Sequence, residues 1–205
     1  MAARPKAEHR AELLAARRAV PEAVRAAEAE RLCAHLPAVV AGASTVCAYV
    51  PVGTEPGSAA MLDRLAGLAA EVLLPVAQTG PAGEHLPLRW GRYRPGGLVP
   101  APRGLREPAP PWLPAEAIAD AGVVLVPALA VDRRGVRLGR GGGFYDRSLS
   151  LCAPGARLVA VVRDAEVLDD LPGEPHDVLM THVLTPGAGL VRLRECPPAD
   201  GGSST

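Results

Sequence analysis

The run Val123-Val124-Leu125-Val126, stopped by Pro127 and followed by Gly139-Arg140-Gly141-Gly142-Gly143, is the feature that most constrains this chain. A short, wholly apolar run bounded by proline reads as a buried strand. Phe144 to Leu149 can then begin a helix. Clustered glycines cost backbone entropy, and a chain gains from them by approaching a ligand closely. Such a loop aims several N–H groups at one anion, and a following helix N-terminus adds positive partial charge. Arg137 and Arg140 bring planar donor forks suited to phosphate. A phosphate cradle is one reading; a turn that merely reverses the chain is the other. The arginines inside the loop and Asp146 just after it tilt the balance towards phosphate and metal. The loop is neither a Walker A sequence nor the dinucleotide fingerprint, whose last glycine position is taken by Phe144.

Other apolar runs alternate with helical stretches. Residues 6–19 are strong helix formers without internal Gly or Pro. On a helical wheel Lys6, Arg10 and Arg17 fall within about 40° and form a basic stripe, which is most often a solvated face. Pro21 suits the first turn of a second helix, expected to reach about Leu36. Residues 46–50 and 72–76 read as strands, residues 59–70 as a helix capped by Ser58, and residues 86–93 as an edge strand. Residues 95–114 hold seven prolines and read as an ordered irregular loop. Residues 114–120 suggest a helical turn, residues 158–162 an interior parallel strand, and Val183-Leu184 a last short strand. Roughly five strands alternating with helices predict an open, largely parallel α/β sheet flanked by helices. Ligands bind beyond the carboxyl ends of such strands. Glu55 and the glycine loop both follow strands, so they can share one crevice. Residues 1–196 read as a single domain and residues 197–205 as a disordered tail.

Lys and Arg total 22 and Asp and Glu also 22, a zero net charge that argues against broad binding to nucleic acid or anionic membrane. Cys33, Cys47, Cys152 and Cys196 show no metal-ligand spacing and read as buried, reduced thiols. No apolar run spans a bilayer and the start lacks a signal-peptide core, so a cytoplasmic protein is expected.

Residues 126–149 resemble the signature of the 5-formyltetrahydrofolate cyclo-ligase (5,10-methenyltetrahydrofolate synthetase) family, approximately VPGLAFD-x-x-G-x-RLGRGGGYYDR-x-L. Val126, Pro127, Leu129, Ala130, Asp132, Gly135, Arg137 to Gly143, Tyr145, Asp146, Arg147 and Leu149 stand in register. Ala128, Val131 and Phe144 depart from it. The resemblance implies a fold like that of ribose-5-phosphate isomerase and the CoA transferases. It also implies ATP contacts at Lys6 and Arg10, which match a Lys-x-x-x-Arg pair, and at Arg137, Leu138, Gly139, Arg140, Gly141, Gly142, Gly143, Phe144 and Tyr145. Arg17 resembles a further basic position. Folate contacts fall on Val50, Glu55 and Tyr145, and Gly104 to Pro108 resembles a segment across the site's edge. Magnesium ligands fall on Asp146 and on Asp177, the first acid of a His-Asp-x-x-x-Asp pattern whose second acid is Thr181 here. Arg140, Tyr145 and Asp146 are the implied catalytic residues. Asp132 reads as a structural turn residue.

What the resemblance implies is a monomeric ligase of one-carbon metabolism. It converts 5-formyltetrahydrofolate to 5,10-methenyltetrahydrofolate with ATP and magnesium, releasing ADP and phosphate. A non-catalytic folate- or nucleotide-binding protein on the same fold is the alternative. A sugar-phosphate isomerase or acyl-CoA enzyme is a further one, although no dedicated base or nucleophilic glutamate motif is present.

Overall fold

A computed structural model describes residues 5–175 and 177–193. Cys196, His176 and the tail at 197–205 lie outside the described residues. In chain order the elements are α1 (Lys6–Ala19), α2 (Glu22–Val40), β1 (Thr45–Cys47), α3 (Ala59–Ala66), β2 (Glu71–Val76), β3 (Arg89–Arg92), β4 (Leu98–Ala101) and β5 (Leu105–Pro108). There follow a 3-10 turn (Ala115–Asp120), β6 (Val123–Pro127), β7 (Ala130–Asp132), β8 (Arg137–Leu138), α4 (Phe144–Leu149), β9 (Arg157–Val161), β10 (Val167–Leu168), β11 (His182–Thr185) and β12 (Gly189–Arg192).

The main sheet runs β12-β11-β9-β6-β1-β2-β3. The five inner strands are parallel, and β3 and β12 close the two edges antiparallel. The expected open, largely parallel α/β sheet is therefore present. Its strands are apolar on both faces because both faces are covered. Val123, Leu125, Val159 and Val161 point to the face packed by Leu32, Leu36 and Val39 of α2 and by Met61, Leu62 and Leu65 of α3. Val124, Val126, Leu158 and Ala160 point to the other face, against Ile118 and Leu149. This period of two makes each strand serve two cores.

Five local expectations are revised. The helix expected over 59–70 ends at Ala66, before Gly67, and Ser58 at its start makes no side-chain capping bond. The second helix runs to Val40 with Pro37 inside it; the ring costs one backbone bond, and packing of Leu36, Val39 and Val40 against the sheet outweighs that loss. The first strand ends at Cys47, so Tyr49 and Val50 already belong to the crevice wall. The proline-rich stretch is not wholly irregular: β4 and β5 pair as a two-stranded ribbon, whose free edges tolerate Pro100 and Pro108. The terminal strand is followed by β12, which the sequence reading did not anticipate. Cys33, Cys47 and Cys152 are free thiols, and burial pushes all three up, Cys152 to about 11. No helix among the described residues is long and apolar enough to cross a membrane.

Candidate active site

Beyond the carboxyl ends of β1, β2 and β6 lies a crevice of about 440 Å³. The glycine loop forms one wall. Its approach is fixed by a tight turn between β7 and β8, where Asp132 is fully buried. One oxygen of Asp132 accepts the N–H groups of Arg134 and Val136, both at 2.9 Å, and the other accepts the N–H of Leu171 at 3.1 Å. Asp132 is thus the structural turn residue expected. Gly135 completes the turn at φ +94°, where a Cβ would lie 2.4 Å from the Met180 carbonyl oxygen. At the far end Gly143, at φ +70°, turns the loop into α4. Ser148 anchors that helix: its hydroxyl donates to the Phe144 carbonyl at 2.8 Å and accepts the Leu88 N–H at 2.8 Å. α4 has only six residues, so any dipole contribution at the loop is small.

The expected residues separate into two groups. Val50, Glu55, Arg137, Gly139 to Gly143, Phe144, Tyr145 and Asp146 line the crevice. Glu55, from the loop after β1, accepts the Val52 N–H at 3.0 Å and meets Arg140 Nε at 2.9 Å. The two segments predicted to share a crevice therefore touch across it. Arg137 pairs with Asp146 and lies 6.0 Å from the centre of the Tyr145 ring. The Tyr145 hydroxyl is buried without a protein hydrogen-bond partner, as is Nε of Arg137. Burial, and then the charge of Glu55, push the Tyr145 phenol well above its ordinary value, so it stays protonated and can donate. Nothing among the described residues satisfies it, which leaves a buried donor at the crevice wall.

Lys6, Arg10, Leu138 and Asp177 lie behind the loop and outside this lining. Leu138 is buried beside Ala130, Val136 and Leu171. The basic stripe of α1 is not a solvated face. Lys6 meets Glu174 at 3.0 Å and Asp177 at 3.5 Å. Burial lowers its pKa, but the Glu174 hydrogen bond and the charge of Asp177 outweigh that, and the net shift is upward. One turn on, Arg10 Nε donates to the Gly139 carbonyl at 2.9 Å. Arg17, 1% exposed, forks onto Glu166 with both contacts at 2.7 Å and donates to the Ala128 carbonyl at 2.6 Å. Arg163 extends this network, meeting Glu28 at 2.8 Å and donating to the Thr54 carbonyl at 3.2 Å.

No group of three or more potential ligands gathers into a metal site among the described residues. A magnesium ion does not need one, since it keeps waters and is held by one or two carboxylates together with substrate phosphates. Asp146, on the crevice wall and 55% exposed, fits that pattern. Asp177 stands outside the crevice lining, and one of its oxygens accepts from Lys6 and from the Glu174 N–H at 2.8 Å.

The sequence reading missed His85 and gave no roles to Arg106 and Glu107. All three line the crevice. A lone histidine after a turn containing Gly80 and Gly83 carries no chemical signal in the sequence. Burial raises the pKa of Glu107.

A profile of the 5-formyltetrahydrofolate cyclo-ligase family matches residues 2–186. The chain is 62% identical over 194 residues to a 5-formyltetrahydrofolate cyclo-ligase of Mycolicibacterium smegmatis, spanning 95% of this chain and 100% of that one. It is 30% identical over 160 residues to the Escherichia coli protein of the same name, spanning 77% and 85%. Among solved structures, Aquifex aeolicus 5,10-methenyltetrahydrofolate synthetase superposes with a TM-score of 0.72 at 24% identity, covering 97% of each chain. A Mycoplasma pneumoniae 5,10-methenyltetrahydrofolate synthetase gives 0.66 at 16%, covering 88% of this chain and 98% of that one. At these identities the structural likeness speaks for the fold alone.

Proposed function

Because this chain belongs to the 5-formyltetrahydrofolate cyclo-ligase family, we propose that it uses ATP to convert 5-formyltetrahydrofolate to 5,10-methenyltetrahydrofolate, ADP and phosphate. The observation that carries the reading is the Glu55–Arg140 contact at 2.9 Å, which joins a carboxylate suited to a pterin and a phosphate loop in one crevice. The free thiols suit a reducing cytoplasm.

An N-formyl oxygen is a poor leaving group. In the proposed reaction it attacks the terminal phosphorus of ATP; an O–P bond forms and ADP leaves with the electrons of the broken bond. The formyl carbon becomes iminium-like. N10 of the folate then attacks that carbon and loses its proton, and the C–O bond breaks with its electrons going to phosphate. Phosphoryl transfer of this kind needs alignment and charge neutralisation more than a strong base.

The residues are assigned accordingly. Backbone N–H groups of Gly139 to Gly143 cradle the phosphates. Arg137 and Arg140 face the terminal phosphate, with Lys6 and Arg10 adding positive charge from behind the loop. The carboxylate of Glu55 accepts from the pterin amino and ring N–H groups, and Val50 packs against the ring. The Tyr145 hydroxyl donates at the junction of folate and nucleotide. Asp146, with Asp177, would hold a magnesium ion, which when bound supplies charge neutralisation at the phosphates.

The purified protein is mixed with 5-formyltetrahydrofolate, magnesium and ATP, and the near-ultraviolet absorbance of the methenyl product is followed. The expected result is a rise that requires all three additions. A folded protein that gives no rise, in an assay where a known cyclo-ligase does, overturns the reading.

A further inference from the structure

We infer that His85 is a positioning residue that latches the glycine loop through Phe144 and Gly142. The loop's ligand is taken from the cyclo-ligase reading; the latch itself stands on geometry. Residues 78–86 form a small hairpin, in which Gly80 N–H donates to the Glu84 carbonyl at 2.8 Å and Leu86 N–H to the Gln78 carbonyl at 3.1 Å. His85 closes it in a bridge with Thr79 and faces the crevice. Its ring stacks on Phe144 with centroids 4.2 Å apart and planes 20° from parallel. Its Nδ1 contacts the Gly142 carbonyl oxygen. A carbonyl only accepts, so Nδ1 carries the proton and donates.

The consequence for the loop is directional. In a trans peptide the C=O and the following N–H point opposite ways. Holding the Gly142 oxygen towards His85 therefore turns the Gly143 N–H away from it. Gly142 itself is packed under the two rings: a Cβ there would lie 3.4 Å from Phe144 Cδ2 and 3.8 Å from His85 Cε1. The latch thus grips the middle of a segment whose glycines would otherwise leave it free to adopt many conformations. It also engages Phe144, one of the three positions at which this chain departs from the family signature.

Two measurements on the full chain test this. Backbone order parameters of residues 139–143, from NMR relaxation of the unliganded protein, read the latch without any catalysis. His85→Ala is expected to lower them from the rigid range of about 0.85 to below about 0.6, since the glycines lose their anchor. Unchanged order parameters overturn the latch. Steady-state kinetics then read its use. His85→Ala is expected to lower kcat/KM for ATP about 10- to 30-fold while KM for 5-formyltetrahydrofolate moves less than about twofold. His85→Phe, which keeps the stack, and His85→Asn, which keeps the donor, each fall between. Adding Phe144→Leu to His85→Ala is expected to cost little more than the worse single change. Additive losses, or equal losses for both substrates, overturn the positioning role. A wild-type protein without turnover but with the order-parameter effect intact would remove the cyclo-ligase reading and leave the latch standing.

Discussion

Arg140→Ala is expected to lower kcat/KM for ATP by about 10²–10³-fold, the usual cost of removing one preorganised charge from a phosphoryl-transfer site. Arg140 sits within the glycine loop, so its fork is carried by the same backbone that would hold the phosphates. Its side chain is 48% exposed, and its one partner among the described residues, the 11%-exposed Glu55, keeps the Val52 N–H at 3.0 Å, so the expected cost to the fold is about 1 kcal/mol. Activity and stability are therefore expected to part company. Arg140→Lys keeps the charge but not the planar fork, and partial recovery is expected. Steady-state kinetics beside a thermal melt decide the point. Unchanged kcat/KM with an unchanged melting midpoint would remove Arg140 from the chemistry.

Arg17→Ala should do the reverse and damage the fold first. Its guanidinium is almost completely buried, and its loss leaves the 5%-exposed Glu166 with the Arg163 backbone N–H at 2.8 Å and the Arg163 side chain at 3.8 Å. Removing one member of a buried pair costs about 3–5 kcal/mol, because the partner charge stays buried. Taking roughly 3 kcal/mol, since Arg163 compensates in part, the melting midpoint of a chain this size drops by roughly 6–12 °C. Arg17→Met combined with Glu166→Leu removes both charges and is expected to cost less than Arg17→Ala alone. A drop under about 2 °C, or a double variant worse than the single, would show that the network contributes little.

The sheet could be read from the chain because its strands are short, apolar and bounded by Pro or Gly, a pattern few other structures produce. The crevice followed from connectivity: segments directly after parallel strands emerge on one side. β12 escaped because Gly189 to Arg192 is a short edge strand with only two apolar residues, Leu190 and Val191. β4 and β5 escaped because proline-rich sequence argues against pairing, whereas a free ribbon edge permits it. The partners of Arg10, Arg17 and His85 were beyond reach for another reason. Gly139, Glu166 and Gly142 lie 129, 149 and 57 residues away in the chain, and no local pattern encodes such separations. The basic stripe of α1 was visible, but a stripe alone does not say whether it faces water or protein.

That stripe determines how firmly the first helix is attached. Apart from Leu13, which packs against the small cluster of Ala130, Val136, Leu138 and Leu171, α1 offers little apolar surface to the body, and its one buried side chain is an arginine. Lys6, Arg10 and Arg17 fasten it at three successive points along one edge. Salt weakens the partly exposed attachment at Lys6 far more than the buried one at Arg17. The helix should consequently peel from its amino end as ionic strength rises, while the sheet stays intact. Hydrogen exchange across a salt series is expected to show the first turn of α1 gaining exchange before residues near Arg17, with β6 and β9 unaffected. The behaviour is that of a flap riveted at one end, whose loosening bares the back of the glycine loop without unfolding the protein.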